Sequence, residues 1–195
     1  MSMTKLPEII PIFPLNGALL LPNGNLPLNI FEPRYINMVD YSMKNDRVIG
    51  MIQSKENKSL YSVGCLGKIN QYHETGNGRY LINLLGIIRF QCVYEEKTNE
   101  KFRKLKVDYS KFKKDLNHSF DSCFNKNKFL EEAQIYLKKN NINANWDTMQ
   151  KTDKTLLITT LASICPFSIS EKQAILESTN INEIPKILEN LFKMS

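Results

Sequence analysis

Two histidines, four cysteines and two adjacent pairs of carboxylates are the residues from which this chain could build catalysis. None has the spacing its chemistry requires. His73-Glu74 opens like the zinc-binding helix of a metalloprotease, but Asn77 stands where the second histidine belongs, and Gly76 and Gly78 around it mark a turn. Gly64-Cys65-Leu66-Gly67-Lys68-Ile69 imitates a phosphate-binding loop with its glycines too close together and no Ser or Thr after the lysine to hold magnesium. Cys65, Cys92, Cys123 and Cys165 occur singly, which suits buried reduced thiols better than a metal knuckle or redox pair. Glu95-Glu96 and Glu131-Glu132 are sequence neighbours, and neighbouring side chains on a strand or helix point apart. No serine sits in a G-x-S-x-G elbow, and His73 and His118 have weak local contexts for base catalysis. The expectation is a protein that binds without catalysing, with no metal and no cofactor.

Two stretches carry charge in a pattern worth reading. Residues 97–114 hold eight Lys or Arg against Glu100 and Asp108, so a local net of +6 equals the net charge of the whole chain. Lys101, Arg103, Lys104, Lys106, Lys111, Lys113 and Lys114 make a candidate nucleic-acid patch, with Phe102, Tyr109 and Phe112 available for stacking. The plainer reading is an outer strand face, since Leu105, Val107 and Tyr109 alternate with Lys104, Lys106 and Asp108 and edge lysines discourage unwanted pairing. The second stretch is LPLNIFEPRYINMV, residues 26–39, which sets Glu32-Pro33-Arg34 between a strand-like and a helix-like run. Pro33 can end the strand and start the helix, Glu32 lies at the positive end of the helix dipole, and Arg34 can turn back to a carboxylate or to open carbonyls. On that structural reading Arg34 takes part in a partly buried charged hydrogen bond; on the functional one, Glu32, Arg34 and Tyr35 belong to a binding rim.

The elements that must position these residues follow from glycine and proline. All eight glycines lie at or before Gly86, and six of eight prolines at or before Pro33. Closely spaced turns mark strands, so the reading is a β-rich lobe over 1–115 and a helical lobe over 116–195. Eight short strands are expected: Ile9–Phe13, Ala18–Leu21, Leu26–Ile30, Val48–Gln53, Cys65–Tyr72, Arg79–Leu85, Ile88–Tyr94 and Arg103–Tyr109. One helix interrupts them from Pro33 to Lys44, with Tyr35, Met38, Val39 and Ser42 inward. In the second lobe Phe129, Leu130, Ala133, Tyr136 and Leu137 form one helical stripe. Asp153 caps a helix carrying Leu156, Leu157, Thr160, Leu161 and Ile164, and Pro166 stops it. Ser168 and Glu171 have capping-box spacing, and Asn182 caps a last helix. The opening residues, broken by prolines at 7, 11, 14 and 22, lack a signal-peptide core, and no apolar run reaches the ~20 residues of a membrane helix. The expected setting is cytoplasmic, without membrane.

With those elements placed, IPIFPLNGALLLPNGNLPLNIFEPRYINMV at 10–39, VGCLGKI at 63–69, NGRYLINLLGIIRF at 77–90 and EKQAILE at 171–177 resemble the Lon substrate-binding domain, the N-terminal domain of ATP-dependent Lon proteases, and especially its free-standing bacterial form. The first segment carries most of the resemblance. It implies an α+β fold, a β-rich PUA-like pseudobarrel with one inserted helix followed by a C-terminal helical bundle. It implies neither the ATPase nor the Ser-Lys protease module of a full-length Lon protease. Asn29, where free-standing members often have His, and Pro185-Lys186, in place of a frequent Arg-Leu, depart from the pattern. The implied function is capture of unfolded or tagged polypeptide, as an adaptor or regulator working with a separate protease or chaperone. An apolar groove near the Leu15–Leu21 loop and the lobe junction would serve it, with Leu15, Leu19, Leu21, Glu32, Arg34, Tyr35, Arg79 and Arg89 as candidate binding residues. RNA binding through the basic strip is the competing function.

Overall fold

The structure is a computed structural model that describes residues 6–117, 120 and 124–194. His118 and Cys123 lie outside the described residues. Strands β1 (Ile9–Pro14), β2 (Asn25–Ile30), β3 (Val48–Ile52), β4 (Val63–Glu74), β5 (Tyr80–Glu96) and β6 (Lys104–Asp108) form one sheet in the order β2-β5-β4-β3-β1-β6. The far half of β5 also pairs with β6, which curls the sheet into a partial barrel. Only β1 and β3 run parallel. A parallel pair needs a crossover connection, and helix α1 (Pro33–Lys44) lies on that connection. Pro33 starts α1, whose buried face is Tyr35, Met38, Val39 and Ser42, as its spacing predicts.

Among the described residues one of the eight expected strands is absent and two others are merged into one. Ala18–Leu21 is irregular chain packed inward, with Leu19, Leu20 and Leu21 all at most 3% exposed. Its apolar run fits a buried loop as well as a strand. The other two expected strands, Arg79–Leu85 and Ile88–Tyr94, are one long strand, β5, because Gly86 is no turn: the β4–β5 register slips there and leaves a bulge at Ile87. Gly86 is required for another reason. Its N–H donates to the Gly24 carbonyl at 2.9 Å, its own carbonyl accepts from Asn23 N–H at 2.9 Å, and a Cβ would lie 2.0 Å from the Leu21 carbonyl oxygen. The β4–β5 hairpin turns through Thr75-Gly76-Asn77-Gly78, where Gly78 holds φ +74°.

Beyond a 3-10 segment at Ser110–Asn117 come α2 (Lys126–Lys139), α3 (Trp146–Lys151), α4 (Lys154–Ile164), α5 (Ile169–Glu177) and α6 (Ile184–Met194). The stripe expected on α2 is buried throughout. Asp153 caps α4 by accepting from Leu156 N–H at 2.9 Å, and Ser168 and Glu171 make a full capping box on α5. The inward face of α4 differs from the expected one: Leu157, Ile158, Thr159, Leu161 and Ala162 are buried, while Leu156 and Ile164 are exposed. Its threonines fall on both sides, Thr159 buried and Thr160 exposed, so the sequence pattern shows little contrast between faces. The last helix begins later than expected, since Asn180 caps a short 3-10 turn at Ile181–Glu183 that leads into α6. Rings of Phe129, Tyr136, Phe167 and Phe192 pack together between α2 and α6, with centroids 5.2–6.0 Å apart.

Candidate polypeptide groove

The barrel has a gap. β2 is an edge strand, paired only with β5, while β1 beyond Ile12 pairs with β3 on one side. Between the end of β1 and the edge of β2 runs a groove of about 420 Å³, lined by Phe13, Pro14, Leu15, Pro27, Leu28, Asn29, Ile30, Phe31, Glu32, Arg34 and Tyr35. Pro27 suits an edge, where a missing N–H breaks no ladder bond. A second hollow of about 480 Å³ adjoins it across Pro27, Leu28 and Asn29 and continues over Gln71, Tyr72, His73, Leu81, Ile82 and Asn83. Phe31, Tyr72 and Leu81 are exposed here, Phe31 at 60%. They give this side of the barrel a clustered apolar surface, of the kind that marks interaction sites.

The strand-to-helix corner builds the groove's inner end. Glu32 is the N-cap residue of α1, yet its side chain makes no capping bond. Its carboxylate accepts instead from Arg34, 2.9 Å from Nε and 2.8 Å from Nη2, and the two side chains are 43% and 57% exposed. The expectation of a partly buried charged bond is therefore corrected to a solvent-facing pair. Arg34 stacks 4.5 Å above the Tyr35 ring, which packs against Phe13 with centroids 4.1 Å apart. Burial raises the Tyr35 phenol above its ordinary pKa, partly opposed by Arg34. Tyr35 is thus a neutral floor, and Arg34 and Phe31 stand at the rim.

The structure brings together Leu15, Glu32, Arg34 and Tyr35 from the candidate set, and Arg79 joins them indirectly with its guanidinium 5.8 Å from the Phe31 ring. It removes three others. Leu19 and Leu21 are core residues. Arg89 is 1% exposed and holds Asp115 through Nε at 2.9 Å and Nη2 at 2.8 Å, while Nη1 donates to the carbonyls of Leu176 and Ser178. Arg89 ties β5 to the end of α5 and cannot face a ligand. The contact between the sheet and α5, where the groove was expected to extend, is likewise filled: Lys172 Nζ donates to the Gly17 carbonyl at 2.7 Å, and Gln53 bonds Gln173 at 3.0 Å. Burial lowers the pKa of Lys172. Phe31 is the residue sequence reasoning missed; its signal was a large aromatic one residue past the last inward position of β2, Ile30.

Among the described residues, three of the seven candidate cations of the basic strip meet carboxylates. Arg103 pairs with Glu95 at 2.6 Å, Lys104 approaches Glu100 at 4.0 Å, and Lys106 pairs with Glu8. That hydrogen bonding lowers the Glu95 pKa and raises that of Arg103. Phe102, Tyr109 and Phe112, the candidate stacking residues, are buried. His73 lies on β4 beside the second hollow. Among the described residues no cluster of three His, Cys, Asp or Glu could hold a metal ion, and no helix is long and apolar enough to cross a membrane.

Comparison with known proteins gives one consistent result. The Lon protease of Syntrophus aciditrophicus is 27% identical over 201 residues, covering 92% of this chain and 24% of that protein. The Lon protease of Buchnera aphidicola subsp. Schizaphis graminum is 24% identical over 182 residues and is covered to 23%. The chain spans about a quarter of the length of these curated relatives. Among solved structures, the Lon N-terminal domain protein from Xanthomonas campestris aligns at TM-score 0.64 and 18% identity, covering 95% of this chain and 97% of that one. The N-terminal domain of the Mycobacterium avium complex Lon protease aligns at TM-score 0.65 and 13% identity, with 95% and 98% covered. These likenesses show the fold. The family model of the ATP-dependent protease La (LON) substrate-binding domain matches residues 9–188, and the chain belongs to that family.

Proposed function

We propose that this chain is a recognition module that binds extended, apolar polypeptide in the groove between β1 and β2. It acts by binding alone and serves as an adaptor or regulator that presents unfolded or tagged clients to a separate protease or chaperone. The observation that carries the reading is the gap itself: two strand edges flank an apolar groove with Phe31 60% exposed at its rim. An extended chain laid there gains main-chain hydrogen bonds from the β2 edge and places alternate side chains into the groove. Family membership supports the substrate class.

The test is binding of a fluorescent unfolded polypeptide to the protein and to Phe31→Ser. Because Phe31 is exposed, the variant should melt within ~1 °C of the parent while its affinity falls at least about tenfold. Equal affinity in the variant would move the site elsewhere. Salt-sensitive RNA binding without polypeptide binding would replace this function with the nucleic-acid one.

A further inference from the structure

The groove continues past its inner end into a pocket of different character. Pro14, Arg34 and Tyr35 line both the groove and a cavity of about 310 Å³ whose remaining walls are Ile12, Ser54, Lys58, Lys101, Phe102 and Arg103. Among the described residues, four cations line this pocket and no carboxylate does. Two are answered from outside it, Arg34 by Glu32 and Arg103 by Glu95. Lys58 and Lys101 carry the excess charge. Lys58 is set on a turn at φ +64°, and Lys101 comes from the loop before β6, so two separate segments converge on one end of an otherwise apolar channel. The positive end of the α1 dipole, next to Arg34 and Tyr35, adds to the same potential.

We propose that this pocket is a specificity subsite, and that the preferred client segment is an apolar stretch followed within about one or two residues by an Asp or Glu side chain. The spacing follows from the shared walls: a residue in the apolar groove and one in the basic pocket are near neighbours on an extended chain, which advances ~3.3 Å per residue. Lys58 and Lys101 then face the acidic side chain, while Arg34 and Arg103 remain in their existing pairs. The inference rests on the groove assignment above and adds selectivity to it.

The experiment uses two C-terminally amidated peptides with the same apolar stretch, one followed by Asp-Glu and the other by Asn-Gln. At low salt the acidic peptide should bind about tenfold tighter, narrowing to about twofold in 0.5 M salt, as expected for solvent-exposed charges. Lys58→Gln with Lys101→Gln should erase the preference and leave the neutral peptide's affinity unchanged. Lys58→Glu with Lys101→Glu should turn it toward a Lys-Lys peptide. Equal binding of both peptides to the parent overturns the subsite while leaving the groove intact; binding of neither overturns both. A neutral peptide with a free C-terminus that outbinds the amidated acidic one would reassign the pocket to chain ends. Displacement of the acidic peptide by single-stranded RNA, lost in the Gln variant, would reassign it to nucleic acid.

Discussion

Two arginines have opposite energetic roles. Arg34 and Glu32 meet in solvent, and exposed pairs contribute ~0–1 kcal/mol because desolvation is slight and two long side chains lose freedom. Arg34→Ala should therefore shift the melting temperature by no more than ~3 °C, measured by thermal denaturation, where a partly buried bond would have given several degrees more. Arg89 is the reverse case, closed from water with every guanidinium nitrogen bonded. In the sequence Arg34 stands in a Glu-Pro-Arg corner with a carboxylate two residues away, while Arg89 stands inside an apolar run that carries no sign of its partner. Glu32 is two residues from Arg34 and legible; Asp115 is 26 residues from Arg89 and is not. The candidate site divides in the same way. Glu32, Arg34 and Tyr35 were readable because one corner places them, and Leu15 because it follows the apolar run of β1, while Lys58 and Lys101 join them only through the fold.

At the scale of elements, local signals were read correctly wherever a backbone rule forces one outcome. Pro33 starting α1, Asp153 capping α4 and the Ser168–Glu171 box are such cases. Signals failed where one residue type serves two geometries, and Gly86 shows why. A glycine inside an apolar run marks either a turn between strands or a bulge where another backbone comes close. Here the Leu21–Gly24 segment crosses β5, and contact with the Leu21 carbonyl decides it. Gly86→Ala should consequently destabilise the protein by at least ~2–3 kcal/mol, because backbone rather than a flexible side chain would have to yield. Gly76→Ala is the control, since a Cβ there meets nothing within 4 Å, and should leave urea denaturation nearly unchanged. Equal effects at the two positions would mean that the Leu21 segment does not cross β5 as closely as described.

The whole molecule raises the question of whether barrel and helices are separable. Composition divides them cleanly, but the structure joins them with buried polar bonds: Arg89 to Leu176 and Ser178; Gln53 to Gln173; Gln173 to the Val63 carbonyl; and Lys172 to the Gly17 carbonyl. Detaching the helices would break these bonds together and uncover the apolar surface packed around them. The lobes should therefore unfold as one unit. Native-state hydrogen exchange would then give the slowest amides of β5 and of α5 the same opening free energy. Asp115→Asn should lower both together by ~3–5 kcal/mol, because it strands Arg89. A loss confined to α5, with β5 unchanged, would show that the helical part opens alone and that the Arg89 contact only docks it.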